Sequence, residues 1–570
     1  MKISYTRHSH SNEFDVSALD LHYFVNDKLY SGGIIAGNIP LVGLDFMRKY
    51  IVRILLLGLI GLVAVPASAQ YPMEYRVSAG FVGGNGDFAP YYLASNRHGL
   101  LTQSLQGYVR AGLFRPMDTD KMFSYGFGAD LVGGYSSSVD IDRYRYDAAL
   151  GGEWGYTSYR PSAFRVQQLY AEIKYWKLYL TVGVKEYDSF ITNRELSSGN
   201  LLWSGNARPI PGARIGFLDF WAIPGTKGWL RILIDIMYGK FTDDDYTRSH
   251  YNYYNSNIAL HSWYHYKRFF FSTKKDEPFV FTIGMEHAAQ FGGTYNPYAG
   301  GFFDEIQQQR IYKSSQNPKL AFVDFVQALV PVENAFGRIY YAGNHVGAWG
   351  VSGVYTFKNK ARLKAYVQFP FEDGSGIGKL NGFDGLYGLE YDSGRKNWLS
   401  GAVVEYLDMT NQSGPIHYSP ENDHPGSPVT GHVSGADDYY NNYFYNGWAH
   451  YGMGMGSPML KSPLYNKDGY PKYLHTRVRG GHIGVTGYIA GDWKYRMLTS
   501  YRVSWGTPFI PLTSTQDDWS FLAECVYTPA KLSGWTFSAA FSCDVGSLYG
   551  NQYGAMVTVG KSGSLFNRKK

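Results

Sequence analysis

Two adjacent pairs of titratable residues are the first candidates for chemistry in this 570-residue sequence. Glu286-His287 and Glu372-Asp373 contain side chains that act as general acids and bases. Carboxyl groups cleave a glycosidic bond only when they face each other across the sugar, which adjacency in sequence does not provide. Such pairs are also typical of ion-paired residues that line a barrel wall. We therefore predict no catalytic residue.

Metal and cofactor motifs give no stronger signal. His261 and His265 are four residues apart, but the sequence around them is rich in Tyr and has no helix signals. The Gly-rich turns at 197–200 and 452–456 are not followed by the strand–helix unit that a nucleotide site needs. We predict a protein that is not an enzyme and uses neither a metal nor another cofactor.

Two segments, 251–257 and 437–448, combine aromatic rings with amide and carboxyl side chains. The apolar faces of sugar rings stack on aromatic rings, and sugar hydroxyls are hydrogen-bonded by amides and carboxyls. Both segments are therefore candidates for glycan binding. A plain solvated loop is the alternative for the first segment, and a structural plug is the alternative for the second. The candidate glycan-binding residues are Tyr251, Tyr253, Tyr254, Asn255, Tyr439, Tyr440, Asn441, Asn442 and Trp448.

The elements that must position these segments are strands, because apolar and polar residues alternate with period two. In the run 168–175, Gln168, Glu172 and Lys174 alternate with Leu169 and Ile173, and a second run follows the turn at 176–177. This pattern predicts a hairpin with one apolar and one polar face. The alternation recurs at 230–238, 493–503, 535–544 and 553–559.

The apolar faces and the composition favour a membrane-spanning β-barrel. The sequence has 51 Tyr, 13 Trp and 67 Gly, and Tyr and Trp favour both strands and the membrane–water boundary. A sheet in lipid must close on itself, and at about 10 residues a strand the length predicts roughly 16–18 strands. A secreted soluble β protein is the alternative. The net charge of +6 gives no case for nucleic-acid binding.

An export signal lies at an unusual place in the sequence. Residues 47–69 have basic side chains, a short apolar core and Ala67-Ser68-Ala69, the layout of a cleaved Sec signal peptide. Residues 1–46 would precede that signal, so we expect them to be a non-native extension from an over-long start assignment. The mature barrel would then span 70–570 and lie in the outer membrane of a Gram-negative bacterium.

One stretch interrupts the strands, and the two cysteines are too few for a disulfide framework. Asn317-Pro318 and Pro331 are typical of the start and end of a helix, and 304–313 is a candidate partner helix. We expect this helical insert, at about 304–330, on the periplasmic side or in the lumen. Cys525 and Cys543 lie in strand-like sequence, and we favour two free thiols over one bridge.

Several long motifs in order resemble the capsule assembly protein Wzi family, in its Bacteroidetes-type form. The resemblance runs from residue 91 to the C-terminus, and residues 1–46 have no counterpart in it. It implies a monomeric 18-stranded outer-membrane barrel with periplasmic helices and no catalytic residue or cofactor. It also implies a lectin-like role in holding capsular polysaccharide or exopolysaccharide at the cell surface. The motifs lie at 91–100, 185–187, 196–211, 219–229, 284–290, 370–376, 410–415, 438–443, 447–448 and 451–458.

Two other functions stay open from the residues alone. A porin or substrate-specific channel would use charged lumen faces such as Arg231/Asp235 and Lys494/Arg496/Arg502. A barrel-embedded hydrolase would act on surface glycans or lipids through Glu286 or His287. The partners that we expect for the favoured interpretation are surface polysaccharide and the lipid or lipopolysaccharide of the outer membrane.

Overall fold

The structure, a computed structural model, describes most of the chain from Met73 onward. The expected extension 1–46 and the expected signal peptide 47–69 lie outside the described residues. The described ranges are 73–147, 151–251, 257–296, 302–304, 309–311, 314–331, 343–372, 374–414, 417–418, 433–434 and 437–565.

Eighteen antiparallel strands form one closed wall within the described ranges, as the resemblance implied. β1 pairs with β2 on one side and with β18 on the other, from Met73↔Leu565 to Gly84↔Gly554, so the sheet has no edge. Closure removes the unpaired backbone groups that lipid does not tolerate. The strands are β1 Met73–Phe88, β2 Gln103–Arg115, β3 Phe123–Ser136, β4 Phe164–Tyr175, β5 Leu178–Val184, β6 Gly212–Phe217 continued by Trp221–Ala222, β7 Leu230–Lys240, β8 Trp263–Thr273, β9 Phe279–Phe291, β10 Asn344–Thr356, β11 Arg362–Phe371, β12 Gly385–Asp392, β13 Gly401–Asp408, β14 Val478–Ala490, β15 Trp493–Gly506, β16 Pro511–Tyr527, β17 Trp535–Gly546 and β18 Gln552–Leu565.

The two ends of the barrel differ in the length of their connections. At the end where β1 begins and β18 ends, every connection is short, from two residues at 176–177 to eight at 393–400. At the opposite end the connections include 185–211, 241–262, 292–343 and 409–477. Outer-membrane barrels have short periplasmic turns and long extracellular loops, so the second end is the outer end.

The wall shows the side-chain alternation that the sequence predicts. In β4, Gln168, Glu172 and Lys174 are buried toward the lumen, whereas Leu169 and Ile173 are 43% and 49% exposed on the outside. Outward apolar side chains surround the barrel, and exposed aromatic residues such as Trp229 and Tyr135 lie near both ends. An apolar band between two aromatic belts is the surface that a bilayer requires.

The two cysteines lie on this outer surface as free thiols. Cys525 in β16 pairs with Ala539, and Cys543 in β17 pairs with Phe521, so the two side chains are not cross-strand neighbours. Both thiols alternate with lumen-facing residues such as Glu524 and Asp544. The preference for free thiols is confirmed.

Four short helices lie in the described part of the long connections: α1 Tyr91–Ala94, α2 Asp244–His250, α3 Phe322–Leu329 and α4 Gly374–Ile377. None of the helices in the described ranges is long and apolar enough to cross a membrane. One 3₁₀ turn spans Pro463–Tyr465. Short strand pairs join Val139–Asp147 to Gly151–Tyr159, Ile258–Leu260 to Thr294–Asn296, His417–Tyr418 to Val433–Ser434, and Ala449–His450 to Met453–Gly454.

The helical insert differs from its expected position and bounds: α3 lies in the connection between β9 and β10 at the outer end, not on the periplasmic side or in the lumen. Helix α3 begins at Phe322 instead of next to Pro318, because the Asp324 carboxyl accepts a hydrogen bond of 2.6 Å from the Ala321 backbone N–H and so caps the helix there. The partner helix expected over 304–313 is not formed in the described part of that segment. Instead, Phe302–Asp304 pairs with Gln309–Ile311 as two strands, in keeping with the strand preference of the Phe pair.

Candidate functional site

The lumen is filled by two connections, and residues 193–206 and 439–466 together form what we call the plug. Glu405 of β13 anchors its first part. The Ser197 hydroxyl and the Ser198 backbone N–H each donate a hydrogen bond of 2.6 Å to the Glu405 carboxyl, and the Tyr366 hydroxyl donates a third. His482 of β14 contacts the Leu196 carbonyl at 2.7 Å. The plug is thus tied to the wall at more than one strand.

Glu286 is a second anchor and not half of an acid–base pair. The Asn200 amide donates to its carboxyl at 2.8 Å, and the Tyr266 hydroxyl donates at 2.6 Å. His287 points to the other side of the wall, where its ring lies 3.1 Å from a nitrogen of His345. Adjacent strand residues face opposite ways, so Glu286 and His287 do not share a site.

Glu372, the other candidate acid, accepts a hydrogen bond of 2.6 Å from the backbone N–H of Tyr440. It therefore holds the plug, while Asp373 lies outside the described residues. Among the residues that the structure describes, no three His, Cys, Asp or Glu side chains gather as a metal site would require.

Asp235 and Arg502, one from each of the charged lumen faces, are paired within the barrel. The Asp235 carboxyl forms an ion pair with Arg214 at 3.3 Å. Arg268 and the Tyr179 hydroxyl donate to the same carboxyl at closer range. Arg502 and Asp518, both fully buried, lie 3.0 Å apart. These residues therefore contribute to a packed interior.

The second part of the plug covers the first. The Trp448 indole N–H donates to the Leu202 carbonyl at 3.1 Å, and the Asn206 amide donates to the Gly454 carbonyl at 2.9 Å. A side chain at Gly456 would collide with the Leu201 carbonyl, 2.5 Å from the Cβ position, which explains a glycine in this tight stack.

Several predicted glycan-binding residues lie inside this stack. Tyr439 and Tyr440 are 1% exposed and Trp448 is 0% exposed. The Tyr439 hydroxyl donates to Asp384 at 3.0 Å, and the Tyr440 hydroxyl donates to the Leu201 carbonyl. Their surroundings favour the plug alternative, and their contact with glycan stays a prediction.

An aromatic surface lies above the plug at the outer end. Tyr443 and Phe444 are 50% and 45% exposed, with ring centroids 4.9 Å apart, and the half-buried Tyr295 ring lies 5.5 Å from Phe444. We call Tyr295, Tyr443 and Phe444 the outer aromatic patch. Polar side chains surround it: Asn257, Asn296, Ser315, Asn317 and Asn442.

The structure brings the two predicted segments together at this patch. The Asn257 amide donates to the Tyr443 carbonyl at 3.3 Å, and Asn446 exchanges two hydrogen bonds with the backbone of Ala259. Tyr251 is buried against Tyr246, with ring centroids 5.5 Å apart. Tyr253, Tyr254 and Asn255 lie outside the described residues.

Asn441 and Asn442 hold the loop below the patch. The Asn441 amide donates to Asp438 at 2.9 Å, and the Asn442 carbonyl accepts the Phe444 backbone N–H at 2.9 Å. The three residues of the patch are not among those predicted from the sequence. A signal exists for two of them, since Tyr443-Phe444 follows Asn441-Asn442 within the segment 437–448.

Burial shifts the pKa values of two ionisable groups under the patch. It raises the pKa of the Asp438 carboxyl to about 6, although the Asn441 amide and the Thr476 hydroxyl both donate to it. It also lowers the pKa of the Lys472 ammonium to about 8. Both groups thus hold their charge less readily than in water.

A cavity of about 410 Å³ lies at the opposite end of the lumen, where β1 begins and β18 ends. Lys494 and Glu195, which line it, form an ion pair of 2.6 Å, and Arg362 and Asp392 form another of 2.5 Å. These four charges are matched within the wall and the plug.

The fold and its surface define an outer-membrane-type β-barrel with a filled lumen. No family profile and no curated sequence matches the chain. The structure is similar to Wzi, an outer-membrane protein involved in group 1 capsule assembly in Escherichia coli and a carbohydrate-binding β-barrel. The identity is 11%, the TM-score is 0.49, and 85% of this chain and 83% of that chain are covered.

Two further solved structures are similar over most of the chain. OccAB2 of Acinetobacter baumannii has 6% identity and a TM-score of 0.43, covering 87% of this chain and 98% of the other. OccK5 (OpdH) of Pseudomonas aeruginosa has 8% identity and a TM-score of 0.40, covering 87% and 98%.

Proposed function

We propose that this barrel is a non-catalytic lectin that attaches or organises capsular polysaccharide or exopolysaccharide at the cell surface. The observation that carries the proposal is the outer aromatic patch, in which exposed rings are surrounded by amide and hydroxyl groups at the outer end. The motif resemblance to the Wzi family supports the same function. A lumen filled by a plug that buried carboxyl groups hold in place favours a polysaccharide-binding protein over a pore.

The chemistry of the patch matches that of a sugar polymer. The rings of Tyr443 and Phe444 offer an apolar surface for the C–H faces of pyranose rings. The side chains of Asn257, Asn296 and Asn442 can each donate and accept, as sugar hydroxyls require. Each contact is weak, and a long polymer gains affinity by engaging several barrels at once.

The remaining predicted residues fit this proposal in two ways. Tyr253, Tyr254 and Asn255 lie in the segment that joins Tyr251 to Asn257, so we propose that they extend the binding surface. Tyr251, Tyr439, Tyr440 and Trp448 support the loops from below, and Asn441 positions them through Asp438.

The test is polymer retention in a deletion strain of the source organism. Complementation with the wild-type gene from Met47 should keep polymer on the cells, whereas Tyr443→Ala/Phe444→Ala should release it into the medium. Phe509→Ala is the matched control, because Phe509 is 61% exposed at the same end but outside the patch. Equal cell-bound polymer with the patch variant and the wild type would refute the proposed site.

The channel function is tested separately by conductance in planar bilayers. We expect almost no current, because the plug is hydrogen-bonded to Glu405, Glu286 and Glu372. A steady ohmic current from the wild-type protein, with unchanged cell-bound polymer in the deletion strain, would favour a channel instead.

We also propose that the protein is exported through a cleaved Sec signal and functions as a monomer in contact with lipopolysaccharide. Mass spectrometry of the purified natural protein should give Gln70 as its first residue. Peptides from residues 1–46 in cell extracts would contradict the proposed start at Met47.

A further inference from the structure

Helix α3 lies on the outside of the barrel wall. The Phe325 ring packs at 5.2 Å from Trp263, 5.2 Å from Phe291 and 5.7 Å from Tyr238. These three residues are at the outer ends of β8, β9 and β7, and they alternate with residues that face the lumen, such as Tyr264. Since neighbouring strand residues face opposite ways, all three rings point outward.

The helix covers wall positions that elsewhere in the barrel are exposed. Ala289 and Phe291, which point outward from β9, are 0% exposed and pack with Ala328 of the helix. The Tyr238 hydroxyl donates to the Phe325 carbonyl at 2.7 Å, and the Lys267 ammonium donates to the Leu329 carbonyl. The helix is therefore fixed to the wall at both of its turns.

These contacts orient the helix along the strands. Phe325 contacts Trp263 at the first residue of β8, and Leu329 contacts Lys267 four residues further along that strand. Leu329 lies four residues, about 6 Å, beyond Phe325 along the helix, and the long Lys267 side chain spans the remainder of the separation of about 13 Å between strand positions 263 and 267. Helix α3 thus runs from the outer end of the wall toward its apolar middle.

The amphipathic character of α3 is the reverse of that of a water-exposed helix. Its polar residues Asp324 and Gln327 are 5% and 0% exposed, whereas Phe322 is 84% exposed. Val330, directly after the helix, is 48% exposed. A helix with water on its free side would present its polar residues there.

The exposed apolar side of α3 continues a surface that already faces lipid. On β9, further from the outer end than the helix, Ile283 and Phe281 point outward and are 43% and 37% exposed. The half-buried side chains of Val326 and Leu329 lie on the helix between this band and Phe322. The barrel and the helix therefore present one apolar surface.

We propose that helix α3 is embedded in the outer leaflet of the membrane, with the acyl chains of outer-leaflet lipid against Phe322, Val326 and Val330. An amphipathic helix at the boundary between headgroups and acyl chains buries its apolar face in the same way. This surface makes the protein bind lipid more extensively between β7 and β10 than elsewhere, and it shares no residue with the outer aromatic patch.

The test uses spin-label accessibility in the full-length protein in lipid vesicles. Cys525→Ala and Cys543→Ala remove the two native thiols, and Phe322→Cys carries the label. Oxygen partitions into lipid and a water-soluble nickel chelate does not, so we expect frequent collisions with oxygen and few with nickel at position 322. Ile283→Cys is the control for lipid and Asp245→Cys, whose side chain is fully exposed in the β7–β8 connection, is the control for water.

Each outcome decides the proposal. A label at position 322 that behaves like the one at Ile283 supports it. A label that behaves like the one at Asp245 overturns it, since the helix would then face water. A label shielded from both reagents also overturns it, because protein would cover the face; dipolar broadening between labels would identify that protein as a second copy.

Discussion

The plug and the outer aromatic patch are built from the same residue types and differ in what surrounds them. Tyr440 and Trp448 in the plug are buried, and their polar atoms bond to the backbone. Tyr443 and Phe444, a few residues away in the chain, are about half exposed. Residue type alone therefore does not assign glycan binding, because burial decides whether a ring stabilises the fold or remains free for a ligand.

The difference also separates the expected effects of mutation. In the plug, removal of a side chain leaves a cavity or unpaired polar groups, so stability falls. In the patch, the same removal uncovers only a solvated surface, so stability is nearly unchanged while binding weakens. Comparing one variant from each region therefore tests whether the plug and the patch differ in this way.

Glu405→Ala should have the largest effect. It leaves Ser197, Ser198 and Tyr366 without their buried acceptor, so we expect the plug to lose about 3–5 kcal/mol of local stability. The released plug should let ions through the lumen. Single-channel recordings should show frequent openings that are absent from the wild type.

The control for this variant is Glu277→Ala, since Glu277 is exposed in the turn between β8 and β9. It should leave the recordings unchanged. If Glu405→Ala leaves the single-channel recordings unchanged, as Glu277→Ala should, the plug is held by packing and not by its carboxyl anchors.

Trp448→Ala and Phe444→Ala compare the plug with the outer aromatic patch most directly. Trp448 is fully buried, so its truncation should cost the plug about 3 kcal/mol or more. Phe444→Ala should change stability by less than about 0.5 kcal/mol. Hydrogen exchange of the protein in lipid nanodiscs measures the first effect, and binding of purified polymer measures the second.

The assignments of plug and patch would be reversed by the opposite result. Loss of polymer binding in Trp448→Ala with unchanged hydrogen exchange would make Trp448 a ligand residue. Unchanged binding in Phe444→Ala would remove the main aromatic surface from the proposed site.

Asp438 should make the loop under the patch sensitive to pH. Burial raises its pKa to about 6 in the folded protein, from an ordinary value of 3.8, so the folded state holds the proton more tightly. Its stabilising contribution is then complete below pH 3.8 and is lost as the pH rises to about 6. Because water still reaches part of this side chain, we expect a loss of about 1–2 kcal/mol.

Hydrogen exchange of residues 439–448 between pH 4 and 7, corrected for the intrinsic rate, measures this loss. Asp438→Asn should abolish the pH dependence, since the amide keeps the size of the side chain and does not titrate. The same slope in Asp438→Asn and the wild type would assign it to another group.

The barrel wall is predictable from the sequence because each side chain in a strand meets only lipid or lumen. The alternation of Leu169 and Ile173 with Gln168 and Glu172 therefore indicates two environments from the order of the residues alone. The start of helix α3 was predicted wrongly, since Pro318 is typical of a helix start while Asp324 supplies the cap.

The outer aromatic patch and the buried plug are not separable in the sequence. Tyr440 and Tyr443 have the same composition of neighbours, and their difference arises from contacts with residues far away in the chain. The Tyr440 hydroxyl donates to the Leu201 carbonyl, and the Tyr443 carbonyl accepts from the Asn257 amide. Each hydrogen bond joins two connections that come together only in the closed barrel. Long-range packing of this kind has no local pattern.

Asn257→Ala should have the smallest effect and tests how the patch is held. The Asn257 amide donates to the Tyr443 carbonyl at 3.3 Å, an exposed hydrogen bond that contributes about 0.5 kcal/mol. Since that bond joins two connections, its loss should weaken polymer binding about twofold, with no change in conductance or in hydrogen exchange of the plug. Asn257→Asp, which keeps the shape but cannot donate, should weaken binding as much as Asn257→Ala. Wild-type affinity in both variants would mean that the patch is positioned from below by the plug alone.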